Sequence, residues 1–278
     1  MKKGISIWAF SDGSYAENFA LAKKYGFEGV ELSLDAEGEV SLTSNEKDIS
    51  RIVASAADAG IELYSIATGL YWSNALTAED KIQREKTKDI VKKHIEVAAW
   101  AGCDTILVVP GATGVDFAPQ LGVTAYDEAY KRSQESLSEL ATVAQAYGVS
   151  IGIENVWNKF LTSPLEMKQF IDEIDNPFIG SYFDVGNVLV NSYPEHWIKI
   201  LDKRIKKIHF KDFKRSIGNI DGFCDLLAGD VNYPEVMRAL KEITYNDWVT
   251  AEVFPYKNHN EVMLQHTSIA MDKILGRN

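Results

Sequence analysis

The sequence predicts a (β/α)₈ TIM barrel, and three features of its 278 residues carry that prediction. Short β-branched or apolar runs alternate with helical patterns eight times, the signature of βα units around a parallel sheet. Four consecutive runs end in an acidic residue or a histidine, namely Glu154, Asp184, His209 and Glu252. The length also suits a barrel, typically about 250 residues, so 1–278 is read as one domain.

Taken in order, strands are expected at 4–8, 29–32, 62–66, 105–109, 150–154, 180–184, 207–211 and 249–253. The helices that follow them are expected at 15–24, 49–59, 79–101, 126–146, 164–174, 194–203, 234–243 and 261–274. The opening MKKGISIW has two lysines but no long apolar stretch or small-residue cleavage site, so it reads as a first strand rather than a signal peptide. After it comes AFSDGSYAEN. A doubly wound sheet holding a dinucleotide would need G-x-G-x-x-G there, which favours the barrel. The last four strands lie in SIGIEN, IGSYFD, KKIHFKD and WVTAEVF. No Pro/Ser/Gly-rich linker interrupts the rhythm.

In a parallel barrel these four strand ends meet at one mouth. Three carboxylates and one imidazole make an O,O,O,N ligand set for one divalent ion. Hard oxygen donors with a single histidine suit Mn²⁺ or Mg²⁺, with Co²⁺ or Zn²⁺ also possible, and Mn²⁺ is the expected ion. Residues two apart share a strand face. Glu154 is therefore in phase with Gly152 and Ser150, Asp184 with Tyr182 and Gly180, His209 with Lys211, and Glu252 with Thr250. These small or polar companions suit a crowded interior with a polar mouth. Ile151, Ile153, Ile208, Phe210, Val249 and Val253 would face the helices.

Composition excludes several classes. The 40 acidic and 29 basic residues give a formal charge of −11, which argues against nucleic acid. No apolar run reaches the length of a membrane span. Cys103 and Cys224 form no CxxC or metal-spaced pair, and a reducing cytoplasm is the expected location. The basic run at 203–207, KRIKK, reads as a solvated helix end. The run at 211–215, KDFKR, follows His209 to the mouth, where Lys211, Lys214 and Arg215 would meet an anionic or polyhydroxylated ligand. Tyr71 and Trp72, in a long loop after the third strand, offer a surface for a homodimer or homotetramer.

IGIENVWNKF, YFDVGN, KIHFKDFKR and TAEVF resemble the xylose-isomerase-like sugar isomerase/epimerase barrels. The nearest branches are the tagatose/psicose-type ketose 3-epimerases and the L-xylulose-5-phosphate 3-epimerases. GFEGVEL at 26–32 and GDVNYP at 229–234 extend the resemblance over nearly the whole chain. The latter is similar to the family's G-x-G-x-V-D-[FY] turn, with Leu227 for the first glycine and Asn232 for the aspartate. The resemblance implies an isomerase acting on a sugar or sugar phosphate, with Glu154, Asp184, His209 and Glu252 holding one divalent metal. It also implies that Glu154 and Glu252 exchange the proton of the carbon beside the carbonyl, through a cis-enediolate. Arg215, six residues after His209, stands where free-ketose enzymes contact substrate hydroxyls. Asn187 stands where those enzymes have a histidine. That departure, with Lys211 in H-x-K-D, moves the match towards the sugar-phosphate branch.

A hydro-lyase of the inosose dehydratase type and an aldose–ketose isomerase of the hydroxypyruvate type share this proton abstraction and remain open. A nuclease of the endonuclease IV type would need a histidine-rich three-zinc cluster, and one of the five histidines here ends a strand. A sugar-binding module would not need both glutamates. Plain structural roles also compete. A strand-end aspartate can cap the next helix, and a single histidine is more often a core residue, although four such groups in order argue against both. Glu31, ending the second strand, could stand behind the ligands or pair within the barrel. Trp8 and Tyr64 could stack on a sugar face or pack. Trp157, Asn158 and Lys159 could form the pocket lip or simply the next turn. His94 reads as structural, and His196, His259 and His266 as surface residues.

Overall fold

Strands covered on both faces read as continuous apolar runs, and a closed parallel barrel wrapped in helices supplies that cover. A computed structural model describes residues 1–11 and 13–277. The barrel strands are β1 (Lys2–Ser6), β2 (Gly29–Ser33), β3 (Glu62–Ala67), β4 (Thr105–Val108), β5 (Ser150–Glu154), β6 (Ile179–Asp184), β7 (Ile205–Phe210) and β8 (Trp248–Ala251). They pair in sequence order, and β1 closes the ring by pairing with both β2 and β8. Around them run α1 (Tyr15–Lys24), α2 (Glu46–Ala59), α3 (Lys81–Ala101), α4 (Tyr126–Tyr147), α5 (Pro164–Ile174), α6 (Pro194–Leu201), α7 (Tyr233–Glu242) and α8 (Asn260–Leu275). Among the described residues, no helix is long and apolar enough to cross a membrane.

Local chemistry sets the helix ends. Asn45 accepts from the N–H groups of Lys47 and Asp48, and Asp48 accepts from the Asn45 N–H. This capping box starts α2 three residues earlier than apolar spacing suggests. Asn232, in the GDVNYP turn, accepts from the Glu235 N–H and caps α7.

Three expectations are corrected. β1 ends at Ser6, so Trp8 lies in a 3₁₀ turn (Ile7–Ala9) and its indole donates to Ser33 Oγ at 3.1 Å. Lys207 is not a solvated helix end. It is buried in β7 and pairs with Asp104 and Asp247 at 2.9 and 2.6 Å. Tyr71 is also buried and bonds His94, so it offers no surface to a partner, while Trp72 packs edge-on to Phe117.

The barrel interior holds larger side chains than the expected small ones. Tyr64 stacks on Trp248 with centroids 4.0 Å apart, and its hydroxyl meets Thr250 Oγ1 at 2.8 Å. Tyr64 therefore packs within the barrel. Gly4 makes room for it, since a Cβ there would lie 2.1 Å from the Tyr64 hydroxyl oxygen. The expected outward residues Ile151, Ile153, Ile208, Phe210, Val249 and Val253 are all buried in the apolar core.

After β7 the chain forms a short antiparallel ribbon, Asp212–Phe213 with Phe223–Cys224. The buried Asp212 carboxylate organises the segment that follows. It accepts from the N–H groups of Phe213, Leu227, Gly229 and Val231 at 2.8–3.2 Å.

Candidate active site

The barrel brings Glu154, Asp184, His209 and Glu252 to its C-terminal mouth. Parallel strands in register present their ends side by side, and Asp184 pairs with His209 across β6 and β7. Glu252 stands one residue beyond β8, where its N–H still donates to Phe210 O. One potential ligand atom from each of the four residues lies within 4.8 Å of the other three. His209 Nδ1 is 2.9 Å from Glu252 Oε2, 3.9 Å from Asp184 Oδ2 and 4.0 Å from Glu154 Oε1.

These residues fit a divalent cation. Among the described residues, Asp184 Oδ2, His209 Nδ1 and Glu252 Oε2 are buried without a hydrogen-bond partner. The 2.9 Å approach of His209 to Glu252 is thus a close contact rather than an aligned hydrogen bond. Buried polar atoms normally find hydrogen-bond partners, and three converging O,O,N atoms that lack one, two of them beside the Lys211 ammonium, are what a bound metal would satisfy.

Neighbours hold these four side chains in place. Asn155 donates to Asp184 O at 2.8 Å and accepts from its N–H at 3.0 Å, locking the ends of β5 and β6 together. The Asn187 N–H donates to Asp184 Oδ1 at 2.7 Å, and its amide reaches Asn155 O at 3.1 Å and Glu154 Oε1 at 3.4 Å. Behind His209, Nε2 faces Glu31 Oε1 at 2.9 Å. Asn155 is absent from the sequence reading, because alternation assigns it to the face away from Glu154.

Lys211 and Arg215 separate. The Lys211 ammonium enters the ligand cluster, 2.8 Å from Glu252 Oε2 and 3.4 Å from Asp184 Oδ2, and rests over the Phe223 ring. Arg215 stays on the exposed rim, its guanidinium over Tyr193 and Nη2 donating to Ser192 O. Lys214 is exposed.

Electrostatics divides the two glutamates. Burial, then the Glu252 charge, pushes the Glu154 carboxyl up to about 8. Burial also opposes ionisation of Glu252, but the nearby Lys211 and His209 outweigh it and hold that carboxyl well below the usual range. Burial raises Asp184 as well. For His209, burial disfavours the charge, yet Glu31 and Glu252 win and shift it well upward.

A cavity of about 220 Å³ adjoins the centre, lined in part by Asn155, Asn187, Trp157, Lys159 and Val190. Trp157 donates to Asn187 O and packs against Phe213 and Phe223. Asn158 is buried and ties the two loops by donating to Gly111 O. His94 is buried between Ile66 O and Tyr71, whereas His196, His259 and His266 are exposed.

Comparison with known proteins agrees with this architecture. The family model described as xylose isomerase-like TIM barrel matches residues 19–271. An L-ribulose-5-phosphate 3-epimerase of Salmonella paratyphi A is 25% identical over 236 residues, covering 83% of this chain and 79% of that one. A relative in Escherichia coli K12, whose name assigns the same activity provisionally, is 26% identical over 260 residues, covering 91% and 88%. Among solved structures, D-psicose 3-epimerase from Clostridium cellulolyticum H10 superposes with a TM-score of 0.82 at 19% identity, covering 99% of each chain. At that identity the likeness shows a shared fold.

Proposed function

The chain belongs to the xylose isomerase-like TIM barrel family, and from that membership we propose that it is a divalent-metal-dependent ketose 3-epimerase, with a phosphorylated ketose as the preferred substrate. The observation that carries the reading is the convergence of Glu154, Asp184, His209 and Glu252, with three of their donor atoms buried and lacking a hydrogen-bond partner. Those four residues would hold the metal, which when bound would polarise a ketose carbonyl and its neighbouring hydroxyl.

The chain's own groups then move the proton. Glu154 and Glu252 come from the two ends of the β5–β8 arc, so they can address a substrate carbon from different sides. One takes the proton and the other returns it, which inverts the centre. Asn187 keeps the Glu154 and Asp184 carboxylates from turning away, and Asn155 fixes the Asp184 backbone. Lys211 neutralises part of the carboxylate charge. Trp8, half-buried beside Ser33, is proposed as part of the substrate wall.

Preference for a phosphate is supported by the named activity of the sequence relatives and by Arg215 on the rim. A guanidinium makes charge-assisted contacts with phosphate that are roughly twice as strong as neutral ones. Lys214 is exposed next to it.

The test is incubation with matched ketoses and ketose phosphates in D₂O, with Mn²⁺ and with EDTA. Deuterium at carbon 3 together with the 3-epimer, lost in EDTA, is expected. A dehydrated product or an aldose would instead identify a hydro-lyase or an aldose–ketose isomerase. Arg215→Ala should erase the phosphate preference in kcat/KM. A wild-type preference for the free sugar refutes the assignment of charge.

A further inference from the structure

We propose that Glu31 is a positioning residue that fixes the tautomer of His209 and so sets the affinity of the centre for its divalent ion. The inference rests on the metal reading above and goes beyond it, since Glu31 is not one of the four ligands.

Glu31 lies near the end of β2, and β1 and β8 separate that strand from β7 in the ring. Its side chain reaches through the barrel interior and is fully buried. Its carboxylate faces groups that carry donor hydrogens. Ser65 Oγ donates at 3.0 Å, the Tyr182 hydroxyl donates through a short hydrogen bond, and His209 Nε2 stands 2.9 and 3.2 Å from its two oxygens. An ionised carboxylate only accepts. Opposite it, Nε2 must carry a proton, because an unprotonated Nε2 would set lone pair against lone pair.

That requirement decides what His209 presents to the mouth. With the proton on Nε2, the neutral ring has its lone pair on Nδ1. This is the atom that faces Glu252, Asp184 and Glu154 at 2.9–4.0 Å and has no hydrogen-bond partner. The opposite tautomer would place N–H among the ligand oxygens and could not bind a cation. Tyr182 also stacks edge-on against the imidazole at 4.6 Å, which limits rotation of the ring. A carboxylate behind a ligating histidine both orients it and makes it a stronger donor, and losing such a partner typically costs about 10–100-fold in metal affinity.

A packing role alone predicts something different. Glutamine fills the same space and can still accept from Tyr182 and Ser65. It lacks the charge, however, and can turn its amide N–H towards Nε2, which favours the wrong tautomer.

The experiment titrates metal-free protein with Mn²⁺ by calorimetry, comparing wild type, Glu31→Gln, His209→Ala and the double variant. Circular dichroism melts in EDTA check the fold. Glu31→Gln should melt near the wild type yet bind Mn²⁺ about 10–100-fold more weakly. In the His209→Ala background the same change should cost little more, because there is no imidazole left to orient. Wild-type affinity in a folded Glu31→Gln, or an undiminished loss in the double variant, overturns the role of Glu31. A wild type that binds no Mn²⁺ overturns the metal reading and this inference with it. Should Glu31→Gln fail to fold, Tyr182→Phe is used. It removes a donor to the carboxylate and leaves the Glu31–His209 contact intact, so Mn²⁺ affinity should stay within a few-fold of wild type. A Tyr182→Phe loss as large as that of His209→Ala counts against Glu31 acting through the histidine.

Discussion

Replacing Lys211 with methionine should destabilise the metal-free protein and enlarge the stabilisation that a divalent cation confers. The ammonium lies 2.8 Å from Glu252 Oε2 and 3.4 Å from Asp184 Oδ2, on a side chain that is 10% exposed. Methionine keeps most of the apolar stem and deletes the charge. Breaking a buried ion pair by removing one partner costs about 3–5 kcal/mol. The lower end applies here, because Glu154, pushed up to about 8, already carries its proton near pH 7 and adds little to the repulsion. At roughly 2–3 °C per kcal/mol for a chain of this size, a loss of about 3 kcal/mol lowers the melting midpoint by about 6–9 °C. The sign reverses for metal. A cation at this centre meets one positive charge fewer in the variant, so it binds more tightly, and each tenfold gain in affinity adds about 1.4 kcal/mol at saturating metal. The assay is thermal melting by circular dichroism in EDTA and in excess Mn²⁺. A metal-free midpoint within about 2 °C of wild type, or a Mn²⁺-induced rise no larger than that of wild type, would refute the placement of the ammonium in the cluster.

The other predictions are briefer. Glu154→Gln and Glu252→Gln should each lower turnover by about 10²–10⁴-fold, with metal content measured in parallel; near-normal turnover in either variant would sink the two-carboxylate mechanism. His94 is buried and its pKa is pushed down from 6.5 to about 3 by burial. The unfolded chain therefore binds an extra proton between those values, so this contribution is complete above pH 6.5 and is lost as pH falls towards 3. Urea midpoints should decline across that window, and His94→Gln should flatten the decline; parallel curves for the two proteins would contradict the assignment. Asp212→Ala should strip four backbone N–H groups of their acceptor, at about 1–3 kcal/mol for each that stays buried and unsatisfied. Limited proteolysis should then cut more readily within 213–231, and an unchanged digestion pattern would argue against Asp212 as the organiser of that segment.

Much of the barrel was legible in the sequence because its signals are local. A strand-length apolar run followed by a helical pattern needs no knowledge of the rest of the chain, and eight of them in order leave few ways to bury both faces of every strand. The strand-end positions of Glu154, Asp184, His209 and Glu252 were legible for the same reason, since parallel strands put their C-terminal ends on one side. Contacts set by closure of the ring were not. Glu31 and His209 are 178 residues apart and meet because the barrel is narrow enough for a glutamate on β2 to reach β7. Asn155 follows Glu154 and should point away from it, yet the strand ends there and the turn lets it clasp Asp184. Lys211 and Arg215 sit in one basic run, but strand phase carries the first inward with His209 while the second lies beyond the strand and reaches the rim. The same phase buries Lys207 at the barrel floor, where Asp104 and Asp247 arrive from other loops to neutralise it. The sequence by itself determined which strands form and which acidic and histidine side chains stand at their ends. Only the tertiary structure decided which charges pair across the barrel, because those partners are chosen by the radius and register of a closed ring rather than by neighbours along the chain.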